Sequence, residues 1–327
     1  MNFLGFLQSL LGGIGTGTIY ALLGLSCSLI LGRLQICSVV HGDLTILAGY
    51  LCYQAFRMFG IDPFITLIVL IPLFFLIGYW IQNIFMKPFM KLETWKGRYE
   101  GQVMVSWGIG MCIMAVEYFL FSGTYKTLNV PYRNATVNIG SIAIPVVHII
   151  AFILTIVLIA AVELILKKTN LGIRIRACSS DTTTAKLTGI PVNRICAITF
   201  GISSSLAAVA GVIYALTNSL SPAEGFDLTF LGWVAVILGT MGNLKGAVAA
   251  GILMGIVQAM TIYFWIPNLA TAMIYIVLLI ILVAKPNCLF YRKRMRGGRL
   301  HESKKIDSQP YWRSHFNGCL SGIFSCQ

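Results

Sequence analysis

The chain has 327 residues, of which 57% are hydrophobic and only 11% charged, and it carries a formal net charge of +13. A soluble domain holds roughly 25% charged residues, so an ordinary globular enzyme is excluded. Residues 1–32, 63–86, 195–223 and 246–284 contain no Asp, Glu, Lys, Arg or His, and about 20 apolar residues suffice for a helix to cross a bilayer. The composition therefore reads as an all-α polytopic membrane protein with about eight transmembrane helices.

In chain order, spans are expected at residues 8–32, 36–57, 63–86, 102–122, 142–166, 195–217, 228–262 and 264–284. No basic residue precedes the first run, so the positively charged first region of a cleavable signal peptide is missing. Arg33, the group Lys87, Lys91, Lys96 and Arg98, the loop 167–194 and everything from Lys285 onward hold 20 of the 24 basic residues. Basic residues collect in cytoplasmic loops, which puts the N-terminus outside and the C-terminus in the cytoplasm. The charge is thus an orientation signal and not the footprint of a nucleic-acid partner. Residues 1–286 read as the transmembrane domain, and 287–327 as a basic cytoplasmic tail without periodicity, expected to be disordered at the membrane surface. The nine cysteines show no CxxC or Cys/His metal spacing; they read as small apolar fillers, not as a disulfide framework or a metal site.

The long run at 228–262 follows a rule of parity. The span at 195–217 leaves the cytoplasmic loop outward, and the span at 264–284 must run inward to the basic tail. Residues 228–262 therefore begin and end outside, as a hairpin that is either two spans or a re-entrant pair. Its tip is LGTMGNLKGA, where the spacing of Gly239, Gly242 and Gly246 suits a tight turn. Non-helical backbone at membrane depth is tolerated only inside protein or facing water, so the hairpin should lie within the bundle and act in the pathway or its gating.

Ionisable residues inside spans usually face the bundle interior or a water-filled cavity. His41-Gly42-Asp43 is read as a mutually paired His and Asp bracing a kinked helix start, with a pathway or gating role as the alternative. Glu117, in the middle of a span, either hydrogen-bonds to a neighbouring helix or meets the ammonium of a substrate. Glu163 precedes Lys167 by four residues, the spacing of a helical ion pair. Ser203, Ala207 and Gly211 form a small-residue stripe for helix packing. Asp43, Glu117 and Glu163 are the acids assigned to spans, too few for an ion-coupled carrier or channel. No HExxH, GxSxG or GxxxxGK[ST] motif is present, so no catalytic residue and no cofactor is expected, and any ATP must be handled by another chain.

Between two spans lies RIRACSSDTTTAKLTGIPVNR, residues 174–194. Ser180 or Asp181 is a good N-cap, Gly189 a good stop, and Pro191 forbids continuation. A short helix over about residues 181–188 follows, with Ala177, Asp181 and Ala185 recurring every four residues as a small face and Leu187 and Gly189 near its end. The pattern A-x3-D-x3-A-x-L-x-G-I followed by NRICAITFGISSSLAAVAGV resembles the cytoplasmic loop and following helix of the Liv-type permeases of ABC importers, the membrane subunits for branched-chain amino acids and relatives. GTGTIYALLGLSCSLILG, VVHGDLTILAGYL, WGIGMCI, VAVILGTMGNLKGAVAAGILMGIVQAM and KPNCLF resemble further blocks of that family, in order, over roughly residues 10–290.

The resemblance implies a permease of the bacterial inner membrane, immersed in lipid. It also implies a second permease subunit, two ATP-binding-cassette ATPase subunits that hold the ATP, and an external solute-binding protein. It assigns Ala177, Asp181, Ala185, Leu187 and Gly189 to a coupling element that docks on the ATPase. Branched-chain amino acids are the commonest substrates of the family, with urea and short amides carried by close relatives.

Overall fold

The computed structural model describes residues 3–284 apart from 35, 92–94, 122, 134 and 140–141; the expected tail at 287–327 lies outside the described residues. Eleven α-helices occur among them. They are α1 (Phe3–Leu29), α2 (His41–Phe59), α3 (Pro63–Ile81), α4 (Trp95–Phe121), α5 (Val146–Lys168), α6 (Asn170–Ser180), α7 (Thr182–Leu187), α8 (Val192–Thr217), α9 (Glu224–Leu238), α10 (Leu244–Phe264) and α11 (Ala270–Ala284). Six are long and apolar enough to cross a membrane: α1, α3, α4, α5, α8 and α10. Helix α2 has 19 residues and α11 is a shorter apolar helix. The 15 residues of α9 extend about 22 Å, short of a hydrocarbon core of about 30 Å.

Several expected span starts move: α4 begins at Trp95 and not at 102, and α11 at Ala270 and not at 264. The span placed at 36–57 begins its helix only at His41, because residues 36–40 are non-helical. The span placed at 142–166 loses its first four residues to a β-hairpin, β1 (Thr136–Ile139) paired antiparallel with β2 (Ile142–Pro145), Thr136 opposite Pro145 and Ile139 opposite Ile142. Pro145 sits extended at the threshold of α5, and it biases Ile144 before it away from helix. The run at 228–262 is the expected hairpin, α9 and α10 joined by a turn.

The core is built on α1, α2, α8, α9 and α10. Helices do not gain a hydrophobic drive by meeting one another in lipid, so close packing of small residues must hold them. Gly13 and Gly17 of α1 lie on the backbone of α10 at Gly255 and Ile252, and Gly251 of α10 lies on Ala21. The Ser203, Ala207, Gly211 stripe packs as expected: Gly211 rests on the Thr45 carbonyl of α2, and Ala207 is buried. In contrast α4, α5 and α11 turn bulky apolar side chains outward, among them Phe119, Val157 and Leu279, a face suited to lipid.

Candidate functional site

The break before α2 is held by side chains. The Cys37 N–H donates to Gln102 Oε1 (3.3 Å) and the Val39 N–H to Ser106 Oγ (3.1 Å), both from α4. From α9, Thr229 Oγ1 donates to the Val39 carbonyl (2.8 Å) and accepts from the Gly42 N–H (2.9 Å), while Trp233 Nε1 donates to the Ser38 carbonyl (3.3 Å). Peptide groups that leave a helix in the membrane must be paired within the protein, and two neighbouring helices supply the partners here.

His41 and Asp43 do not form the expected pair. His41 is fully enclosed, with Nε2 at 2.9 Å from Ser203 Oγ, itself a donor to the Ser26 carbonyl at 2.7 Å, and with its ring 5.2 Å from that of Phe200. Asp43 points the other way, its carboxylate lying where a side chain on Gly110 or Gly225 would have to go. Residues two apart on a helix face different sides, which is why adjacency in the sequence misleads. Gly42 gives α9 room, because a side chain there would overlap the Gly225 carbonyl. Glu117 is 0% exposed and neither carboxylate oxygen has a hydrogen-bond partner; such a group costs about 1–3 kcal/mol or more until something meets it.

At the tip of the α9–α10 hairpin, backbone touches backbone. A side chain on Gly246 would overlap the Gly239 carbonyl, and one on Gly239 would overlap residues 246 and 247. Gly242 has φ 88° and faces the Gly32 carbonyl, beside the π-helical turn Ile30–Leu34 that closes α1. The Lys245 ammonium lies 3.3 Å from Glu163 Oε1, which also takes Lys167 at 2.6 Å; the helical ion pair is present and extended to the hairpin.

The short helix expected over about residues 181–188 is present as α7, Thr182–Leu187, and a second helix precedes it within the polar stretch. Residues 174–180 belong to α6, and Asp181, at φ −158° and ψ 114°, ends α6 before α7 begins. Ala177 and Ala185 therefore lie on separate helices, and the expected continuous face Ala177, Asp181, Ala185 is broken at Asp181, whose carbonyl accepts from the Ala185 N–H at 3.0 Å. Helix α6 is capped by Thr169, whose Oγ1 accepts from the Gly172 N–H at 3.2 Å, and Arg176 donates to the Leu166 carbonyl. Gly189, at φ 79°, closes α7 with Gly189 N–H to Lys186 O (3.1 Å) and Ile190 N–H to Ala185 O (3.1 Å), the paired bonds of a glycine-terminated helix. Ala185 is 3% exposed, packed within the chain, whereas Leu187 is 83% exposed. Burial pushes the Cys178 thiol of α6 up. Beside this unit a groove of about 510 Å³ brings Lys87, Lys186 and Arg194 together with Tyr79 and Asn83, so two of the expected cytoplasmic groups meet at one end. At the other end Tyr132 donates to Asp62 (2.9 Å) and Lys126 pairs with Leu220; burial and the adjacent Asp62 raise the Tyr132 phenol above its ordinary range.

Sequence reasoning passed over a second polar place. A cavity of about 190 Å³ opens between α1, α8, α9, α10 and α11, lined by Tyr20, Tyr214, Glu224, Asp227 and Gln258 among others. Glu224 and Asp227 fell between two assigned spans; the signal that could have found them is the pair of acids three residues apart immediately before the apolar run at 228.

A broken helix start, a glycine-tipped helical hairpin and a polar cavity within an apolar helical bundle are the features of a membrane transport subunit. The chain belongs to the family described as the permease component of the branched-chain amino acid transport system, whose model matches residues 9–283. It is similar to the high-affinity branched-chain amino acid transport system permease protein LivH of Escherichia coli K12, 24% identical over 303 residues, 87% of this chain and 95% of the relative. It is also similar to BraD of Pseudomonas aeruginosa, 26% identical over 272 residues, 78% of this chain and 85% of the relative. A probable permease LivM of Methanocaldococcus jannaschii matches 57% of the chain at 29% identity. No solved structure matches the chain.

Proposed function

We propose that the chain is one permease subunit of an ABC importer for branched-chain amino acids, the substrate that its relatives' names carry. It would form half of the translocation path with a second, related permease, receive substrate from an external solute-binding protein and be driven by two ATP-binding-cassette ATPases that hold the ATP. Its N-terminus would lie outside and its C-terminus in the cytoplasm of a bacterial inner membrane.

The observation that carries this reading is the α6–α7 unit. It is tied to α5 by the Thr169 cap and the Arg176 bond, closed by the Gly189 turn, and yet turns a bare leucine outward. A rigid unit fixed to two spans transmits movement as a loose loop cannot. Leu187 with Asp181 would meet the ATPase, while Ala177, Ala185 and Gly189 would hold the unit's shape. Inside the bundle, the α2 break (His41, Gly42, Asp43), Glu117 and the hairpin tip (Gly239, Gly242, Gly246) would line or gate the path. A hinge at residues 36–40 would have to exchange the α4 and α9 hydrogen bonds just described.

The test is co-purification of the ATPase with tagged permease carrying Leu187→Asp. Loss of the ATPase at unchanged permease level supports the reading, and wild-type recovery overturns the docking role. Labelling in intact cells checks the orientation: Asn218→Cys should react with an impermeant reagent and Lys186→Cys should not, the reverse refuting it.

A further inference from the structure

The cavity between α1, α8, α9, α10 and α11 is enclosed by helices of the bundle. Its α1 lining, Thr16, Ile19 and Tyr20, lies about the midpoint of Phe3–Leu29, while Tyr214 and Asn218 line it at the end of α8 and Thr271 at the start of α11, so it runs from the middle of α1 toward the end of the bundle where Lys126 pairs with Leu220. It exists because α9 is short. The chain leaves α8 at Thr217 and does not resume a helix until Glu224. Non-helical backbone within the bundle needs protein or water beside it.

The lining has a definite chemistry. Two carboxylates, Glu224 and Asp227, sit one helical turn apart at the start of α9, and no Lys, Arg or His is among the lining residues. Tyr214 donates its hydroxyl to Glu224 Oε2 at 2.5 Å, which fixes one carboxylate. Tyr20 donates to Gln258 Oε1 at 2.7 Å, which leaves both N–H bonds of the Gln258 amide as donors. Ile19, Leu228 and Leu231 supply an apolar wall. Two carboxylates that line one cavity with no basic residue among its lining repel each other, and a cation entering the cavity relieves that repulsion.

We propose that this cavity is a solute subsite of the translocation path that recognises an α-amino acid by its ammonium group. The ammonium takes Glu224 and Asp227, the carboxylate takes the Gln258 amide N–H, and the branched side chain takes the apolar wall. The size agrees: about 190 Å³ holds about six waters at roughly 30 Å³ each, below the range of about 300 Å³ upward of drug-sized pockets. The amino-acid part of this assignment rests on the importer reading above; the cation preference rests on the cavity alone.

The experiment separates the two. In the assembled importer, with Cys112 replaced by serine, Asn218→Cys, at a lining residue given no contact with the solute, is labelled from outside with an impermeant trimethylammonium methanethiosulfonate and with its sulfonate counterpart. Relative to their reaction with a small free thiol, the cationic reagent should be at least ten-fold faster. Adding Glu224→Gln should bring the ratio down at least three-fold, and leucine supplied with binding protein and ATP should slow labelling at least three-fold. Equal rates, or a ratio indifferent to Glu224→Gln, would overturn the cation site. An intact ratio with no protection, in an importer whose wild type accumulates leucine, would overturn the amino-acid assignment. An intact ratio in a wild-type assembly that accumulates no leucine would count against the importer reading and leave the cation site standing.

Discussion

Two connections are anchored on the last turns of α5, one through Lys245 on Glu163 and the other through Arg176 on the Leu166 carbonyl, and they are built on opposite plans. The α9–α10 tip turns on Gly239, Gly242 and Gly246, where the carbonyls of Gly239 and Gly32 fill space that side chains on Gly246 and Gly242 would need. The α6–α7 unit keeps its small residue, Ala185, within its own support and sends its large one, Leu187, outward. The tip is specified by what it excludes, the loop by what it presents. A small residue in a polar connection therefore has two meanings, and only its surroundings separate them.

Substitutions at the two places should accordingly fail in different ways. Gly246→Leu drives a side chain into the Gly239 carbonyl and should have the largest effect, about 3 kcal/mol at the upper end of ordinary overpacking, seen as loss of both uptake and membrane-inserted protein; normal levels of each would mean the tip is loosely packed. Ala185→Trp should cost about 1–3 kcal/mol by the same mechanism, but locally. It should speed amide exchange in α7 in the permease alone, before any partner is added, and unchanged exchange would return Ala185 to the docking surface. Leu187→Asp should leave stability within about 0.5 kcal/mol, as exposed positions do, and cut substrate-stimulated ATP hydrolysis roughly ten-fold; retained stimulation would remove the contrast between the two regions. Lys245→Ala should be the mildest, because an exposed ion pair contributes about 0–1 kcal/mol, and leucine uptake should stay within about two-fold of wild type.

Much of this architecture is legible in the residues. The hairpin follows from counting crossings, and its interior position from the cost of open backbone in lipid. What stays hidden is set by side chains acting across the fold. Ile36 to Val40 are apolar except for Ser38 and look helical; only Gln102, Ser106 and Thr229, distant in sequence, make their extended backbone affordable. His41 and Asp43 are near neighbours along the chain, but their partners come from α8 on one side and from α4 and α9 on the other. The start of α6 could have been found, because Thr169 three residues before Gly172 is an N-cap signal as good as Asp181. The strand at Ile142–Pro145 was hidden by its hydrophobicity, which suits a span as well as a sheet.

The glycine seam between α1 and α10 has a consequence for biosynthesis. Helix α1 leaves the ribosome first, and its closest companion begins roughly two hundred residues later, at Leu244. At about 5–20 residues per second, the face bearing Gly13 and Gly17 waits on the order of ten seconds or more for the backbone that covers it. During that interval the nascent chain carries an open notch, a feature that insertion machinery and membrane proteases can read as unfinished. Chains truncated before α10 should therefore be degraded faster than chains truncated after it, although both retain the same first five membrane helices.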